Sequence, residues 1–249
     1  MVMNMERTNS ASQAWAIQVQ GLVKSFGSHL ALRGIDLEVR EGECVVICGA
    51  NGAGKTTLIK VLAAIMNPSS GRVLVDGLNL KDNAEEVRRR IGVVTHQTFL
   101  YGNLTAYENL EFYCRMYDVP TRKERIHEVV AMLGMTSRLY ERVGTLSRGM
   151  QQRLSIARCL LHKPAIMLLD EPETGLDQQA ISMLWKALPT EGEGKCTIIL
   201  TTLNLERGLE LGERLLILDK GKIVYQGSTQ ALDVADLKEA YQHSMRVGV

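Results

Sequence analysis

The stretch that most restricts this chain is Gly49-Ala50-Asn51-Gly52-Ala53-Gly54-Lys55-Thr56, set between the apolar run at 43–48 and the helix-patterned run at 56–66. It fits G-x-x-x-x-G-K-S/T in full. The glycines let consecutive backbone N–H groups turn inward and approach phosphate oxygens with no Cβ in the way. The following helix offers those oxygens its positive end. Lys55 supplies a point charge to β- and γ-phosphates, and the Thr56 hydroxyl is placed to ligate Mg²⁺. A buried strand before the loop and a helix after it separate this motif from a chance run of glycines.

A second chemical feature lies about a hundred residues on. Ala165-Ile166-Met167-Leu168-Leu169 is an apolar run that ends in Asp170-Glu171. Acids at the carboxyl edge of a parallel strand sit where ligands bind in such sheets. Asp170 would hold Mg²⁺ through water, and Glu171 would polarise an attacking water. Alone, the pair reads as a solvated turn or a helix cap; beside a phosphate loop the chemical reading is the stronger one.

Periodicity supplies the frame. Residues 16–23 alternate as a half-buried strand, Gly27-Ser28-His29 is a turn, and a second strand falls near 35–39. Within the run at 43–48, Cys44–Cys48 has the unbroken apolarity of a strand buried on both faces. Leu58, Leu62, Ile65 and Met66 predict a helix reaching Asn67-Pro68. Short strands follow at 72–75, before an Asp76-Gly77 turn, and at 91–94. Thr105-x-x-Glu108 and Thr121-x-x-Glu124 are both capping-box patterns, so residues 98–163 read as a helical subdomain. Strands return at 165–169, 197–201 and 215–218, and a hairpin turns at Lys220-Gly221-Lys222. Strands alternating with helices predict an α/β fold with a parallel sheet.

Composition narrows the partners. The 249 residues carry 29 basic against 28 acidic side chains, a net charge of +1, so no nucleic acid is expected. The one basic cluster, Arg88–Arg90, follows Glu85 and Glu86 as a solvated helix face. No apolar run approaches the ~20 residues of a membrane span. The five cysteines show no C-x-x-C pair and read as buried reduced thiols. Residues 1–12 are polar, without a signal-like apolar segment, and a reducing, cytoplasmic compartment is expected.

Between the two chemical motifs lies Leu146-Ser147-Arg148-Gly149-Met150-Gln151-Gln152-Arg153. This resembles the signature segment of ATP-binding-cassette (ABC) ATPases, and the resemblance runs from about residue 17 to 227. It implies a P-loop NTPase with a RecA-like parallel-sheet core, an N-terminal antiparallel β subdomain and the helical insert. It also implies ATP and Mg²⁺ as ligands, a second ABC protomer as partner in a homodimer, and separate integral membrane subunits at the cytoplasmic face of the membrane. ATP would be bound by Phe26, which matches the family's adenine-stacking aromatic, by Gly49 to Thr56 and by Thr57. Thr56, Gln97 and Asp170 would serve Mg²⁺, and Lys55, Gln97 and Glu171 would carry hydrolysis. Leu146, Ser147, Arg148, Gly149 and Met150 would face the nucleotide of the opposite protomer. Asp177, in Gly175-Leu176-Asp177, matches the loop through which protomers communicate.

One position departs from the pattern. The family places a γ-phosphate-contacting histidine where this chain has Leu203, in Thr201-Thr202-Leu203-Asn204. No other histidine is an evident replacement, His29, His127, His162 and His243 reading as peripheral, and Thr202 and Asn204 are the nearby polar candidates. Slowed hydrolysis is therefore expected, and an ATP-driven switch with little turnover is the competing reading. A soluble ATPase of nucleic-acid repair or ribosome function ranks third. The wording of 104–113 and 147–153 is similar to the haem-exporter ATP-binding subunit of cytochrome c maturation, the subgroup preferred here. It also resembles single-domain ATPases that drive drug, polysaccharide and lipid exporters. The expected organisation is a tail at 1–14, an ATPase domain at 15–230 and a C-terminal helix at 231–249.

Overall fold

The computed structural model describes residues 14–172, 178–188 and 195–231. The expected tail, the C-terminal helix and the loop residue Asp177 lie outside the described residues. Ten strands and seven α-helices follow in order among the described ones.

Two sheets divide the strands. β1 (Trp15–Phe26), β2 (His29–Arg40), β4 (Ser70–Val75) and β5 (Leu78–Asn79) form an antiparallel sheet in the order β2-β1-β4-β5. The larger sheet takes β3 (Cys44–Cys48), β6 (Ile91–Val94), β7 (Ile166–Asp170), β8 (Thr197–Thr202), β9 (Arg214–Asp219) and β10 (Lys222–Ser228). Its order is β10-β9-β3-β8-β7-β6, parallel throughout except for β10, which turns back on β9 as a hairpin.

The two faces of β3 explain the layering. Val45 and Ile47 join one apolar core with β1, β2, β4 and helix α1 (Lys55–Leu62). Cys44, Val46 and Cys48 join the other core, built from the helices α3 (Ala106–Met116), α4 (Arg122–Met132), α5 (Arg148–Leu160) and α6 (Gln178–Ala187), with Leu205 and Leu209 of α7 (Leu205–Leu211). Successive side chains of a strand point to opposite faces, so one five-residue strand seeds both layers. The cysteines are thus core residues. Burial raises the thiols of Cys44 and Cys196 to about 12 and that of Cys114 to about 11.

Two local expectations meet corrections. Helix α1 stops at Leu62 instead of running to Met66. Ala64 adopts φ +52, its N–H bonds to the Val61 carbonyl, and the Ile65 N–H bonds to the Lys60 carbonyl. That is a Schellman closure, and it leaves Ile65 exposed. Thr105 forms its capping box, accepting from the Glu108 N–H at 3.2 Å while the Glu108 carboxylate accepts from the Thr105 N–H at 2.7 Å. Thr121 does not: it sits at φ +47, and its side chain caps nothing. The α2 helix (Ala84–Arg90) is the expected charged face, with Arg89 paired to Asp118 and Arg90 to Asp76 and Glu86.

Thr105→Ala is expected to lower stability by about 1 kcal/mol, while Thr121→Ala leaves it within about 0.5 kcal/mol; urea denaturation of both variants checks the contrast. All five cysteines are buried, and none forms a disulfide. With the raised thiols un-ionised, iodoacetamide at pH 8 is expected to leave the folded chain unlabelled and to alkylate all five in urea.

Candidate functional site

The site begins where β3 ends. Gly49 is buried so tightly that a Cβ there would meet the Leu218 carbonyl oxygen at 2.3 Å. Gly54 caps α1 at φ +108, with the Ala31 carbonyl oxygen 2.7 Å from where its Cβ would stand. These two contacts, more than general flexibility, are why glycine occupies both ends of the loop. The loop bends over the start of α1, and the Gly221 N–H donates to the Ala53 carbonyl at 2.9 Å, tying it to the β9–β10 hairpin.

Lys55 is 4% exposed. Its Nζ donates to the carbonyls of Gly49 at 2.7 Å and Ala50 at 3.1 Å, and it pairs with Glu171 Oε1 at 3.1 Å. Asp170, 3% exposed at the end of β7, accepts from the Thr56 hydroxyl at 3.1 Å and from the Thr201 hydroxyl at 2.9 Å. Glu171 takes a left-handed φ of +47, an uncommon conformation for a glutamate. Its N–H is secured by Thr201 at both the carbonyl, 3.1 Å, and the hydroxyl, 3.0 Å.

A cavity of about 330 Å³ brings together Phe26, Ala50, Asn51, Gly52, Gly54 and Lys55, with Thr56, Thr57, His29 and Glu171 completing the wall. Phe26, at the tip of the β1–β2 hairpin, is exposed and has the Lys24 ammonium 5.2 Å from its ring centroid. His29, expected to be peripheral, lines this cavity. A larger groove of about 870 Å³ lies at the other end of the strands, around Glu43, Glu213 and Arg214. Among its charges Arg214 pairs with Glu43 and Lys195 with Glu213, and the phosphate loop does not line it.

The remaining predicted residues gather elsewhere. Gln97 is exposed just beyond β6 and shares a groove of about 700 Å³ with His96, Arg148, Gln151 and Gln152. Ser147 is the N-cap of α5, accepting from the Met150 N–H at 3.3 Å; Leu146 is buried, and Ser147 and Arg148 face solvent. Gln152 Nε2 donates to the His96 carbonyl at 3.3 Å, and the Thr95 hydroxyl both donates to the Gln97 carbonyl and accepts its N–H, each at 3.0 Å. The segment carrying Gln97 is therefore fastened to the signature helix, not to the phosphate loop. Leu203 is 41% exposed on the loop after β8, where the Asn204 N–H donates to the Thr202 hydroxyl at 3.0 Å.

Thr201 is the residue that sequence reasoning missed. Its signal was a hydroxyl beside an otherwise apolar strand, in TIILT, but only the β7–β8 register sets it opposite Asp170.

The ABC transporter family model matches residues 32–174, more than half of the chain. This chain belongs to the ABC transporter family. It is 35% identical over 212 residues to the ABC transporter ATP-binding protein NatA of Bacillus subtilis, covering 84% of this chain and 86% of NatA. It is 38% identical over 220 residues to the Nod factor export ATP-binding protein I of a Rhizobium species, covering 87% and 72%. Among solved structures, an ATP-binding subunit of an ABC transporter superposes with a TM-score of 0.83 at 28% identity, covering 92% of this chain and 99% of that one. A dimeric ATP-binding cassette bound to ADP and Pi superposes with a TM-score of 0.77 at 29% identity, covering 87% and 100%. The chain is thus an ATP-binding subunit of an ABC transporter, from a family whose ATPase domains bind ATP with Mg²⁺, dimerise and pair with membrane subunits. Among the described residues no helix is long and apolar enough to cross a membrane.

The residues fit that cation. Thr56 and Asp170 converge as hard oxygen donors, the set that suits Mg²⁺ shared with phosphate oxygens and water. No cluster of three or more His, Cys, Asp or Glu suited to a metal occurs among the described residues.

Thr201→Val keeps the shape of the side chain but removes one donor to a buried carboxylate. It is expected to cost about 2 kcal/mol in urea denaturation and to weaken Mg²⁺-dependent nucleotide binding measured by calorimetry.

Proposed function

We propose that this chain hydrolyses ATP between two protomers to drive export of an organic cargo through separate membrane subunits. The observation that carries it is the meeting of Lys55, Thr56, Asp170 and Glu171 at the carboxyl edge of β3 and β7.

In this reading Phe26 stacks on the base, while the backbone N–H groups of Gly49 to Thr57 and the Lys55 ammonium hold the phosphates. Thr56, and Asp170 through water, would hold Mg²⁺, with Gln97 brought up from its own groove, and the cation would supply charge neutralisation of the phosphates. Glu171 orients and deprotonates the attacking water, its carboxylate kept beside Lys55 and its backbone anchored by Thr201. Ser147 and Gly149, with Leu146, Arg148 and Met150 in support, contact the partner's nucleotide, and Asp177 links the protomers. The groove at the start of α5 is separate from the nucleotide cavity, and this supports the reading that the signature residues serve the partner's nucleotide. The ATPase domain is taken as 15–230, with the helical insert transmitting closure to the membrane subunits at the cytoplasmic face.

The cargo reading follows the relatives. One is named for Nod factor export, others for daunorubicin or linearmycin resistance. These names support export of a small organic molecule, while haem export rests only on the wording of 104–113 and 147–153.

Leu203 sets the rate. An exposed isobutyl group donates nothing to a γ-phosphate, and loss of one preorganised donor costs about 10²–10³ in turnover. A non-hydrolysing switch is the second reading that this residue favours.

Turnover by wild type, Leu203→His and Glu171→Gln, with dimerisation followed in ATP and Mg²⁺, separates the readings. Slow wild-type hydrolysis, a faster Leu203→His and an inactive Glu171→Gln that still dimerises are expected. If wild type equals Leu203→His, the account of Leu203 fails; if only dimerisation is seen, the switch replaces the ATPase.

A further inference from the structure

The hairpin end of the nucleotide cavity holds one polar side chain that the phosphate chemistry does not use. Phe26 and His29 flank the two-residue turn Gly27-Ser28 and are register partners across β1 and β2. Directly opposed residues of an antiparallel pair carry their side chains on the same face, with Cβ atoms about 5 Å apart. Both line the cavity of about 330 Å³. Two residues further along β2, Ala31 lines it as well, and its carbonyl oxygen lies 2.7 Å from where a Cβ of Gly54 would stand. The β2 edge of the cavity therefore runs from His29 at the tip, past a methyl group, to the phosphate loop.

The aromatic platform beside His29 is already braced. Lys24 Nζ donates to the Asn67 carbonyl at 2.8 Å and stands 5.2 Å from the Phe26 ring centroid, so an anchored ammonium steadies the exposed ring. His29 is exposed, and among the described residues no hydrogen bond or ion pair engages its imidazole. The other polar side chains of the lining, Asn51, Lys55, Thr56, Thr57 and Glu171, belong to the loop, to α1 and to the residue after β7. Lys55 is buried there and paired with Glu171. On the hairpin side the lining is Phe26, His29 and Ala31, and of these only His29 offers a side-chain hydrogen bond.

A nucleotide laid from Phe26 to Lys55 has its base at one end, its outer phosphates at the other and its sugar between. The base meets a π face and the phosphates meet loop amides and an ammonium. The sugar is left with His29. A ribose hydroxyl both donates and accepts, and a neutral imidazole carries one N–H and one bare nitrogen, so either tautomer can meet it.

We propose that His29 binds the ribose of the nucleotide, through a hydrogen bond between its imidazole and the 2′- or 3′-hydroxyl, and so sets the preference of this site for ribonucleotides. This role rests on the reading of Phe26 as the base platform and adds the group that reads the sugar. Stacking alone is tolerant, because every base has a π face. A group placed to hydrogen-bond a substrate hydroxyl discriminates against the analogue that lacks it. His29 stands at the open rim, where water replaces a missing hydroxyl, so the preference is a modest one.

The test measures binding of ADP and of 2′,3′-dideoxy-ADP to the full chain by calorimetry with Mg²⁺ present. The two ligands differ only in the sugar hydroxyls. Wild type is expected to bind ADP roughly three- to tenfold more tightly than the dideoxy analogue. His29→Ala and His29→Phe are expected to bind both ligands alike, as weakly as wild type binds the analogue, although phenylalanine keeps a ring beside Phe26. His29→Asn retains a donor and an acceptor and is expected to keep part of the preference. Phe26→Ala is expected to weaken both ligands together and leave their ratio near the wild-type value. Circular dichroism checks that each variant folds, and the wild-type comparison needs no variant at all. Equal binding of the two ligands by wild type, or a full preference that survives in His29→Ala, overturns the assignment of His29. In either case a weakened Phe26→Ala leaves the stacking reading standing. A Phe26→Ala chain that binds ADP like wild type overturns the stacking reading, and the role of His29 falls with it.

Discussion

Asp170 is a buried carboxylate that accepts hydroxyl donors from two other elements, Thr56 at the start of α1 and Thr201 in β8. A buried carboxylate is tolerated only when its lone pairs are engaged. This one therefore requires the phosphate loop, the acid-bearing strand and their neighbour to hold a single register. Glu171 inherits the arrangement. Thr201 fastens its N–H, the left-handed backbone turns it out of the strand, and its carboxylate reaches Lys55. One buried hydrogen-bonded centre thus joins residues scattered over nearly 150 positions of sequence.

The sheet makes that register unavoidable. β3 lies between β8 and β9, and β7 pairs with β8 one place further out. Because the alternate side chains of β3 feed two separate cores, both of its faces are covered and only its carboxyl end is left to a ligand. The phosphate loop leaves from that end, and Gly49 is pressed against the Leu218 carbonyl of the neighbouring strand. The tightness that stabilises the sheet is also what presents the loop's backbone amides.

The nucleotide cavity and the Gln97–α5 groove are distinct in one chain. Gln152 and Thr95 fasten the second groove internally, so the signature helix and the Gln97 segment are held together. Phe99, two residues beyond Gln97, lines both this groove and a smaller cavity between β6, α3 and α5.

Sequence alone determined whatever depends on local chemistry: the glycine-lysine loop, the acids at a strand end, the apolar strand β3, the Thr105 capping box and the family wording of 146–153. Each is set by neighbours within a few residues. It misjudged the end of α1, where a Schellman closure at Ala64 overrode the apolar spacing, and the box at Thr121, whose backbone is left-handed. Only tertiary structure decided that Thr201 faces Asp170, that His29 lines the nucleotide cavity and that His162 is drawn against Tyr117, because each depends on strand register or on packing between distant elements. The same holds for the separation of Gln97 from the phosphate loop. Spacing along the chain shows which groups exist; the hydrogen-bonded order of the strands decides which of them meet.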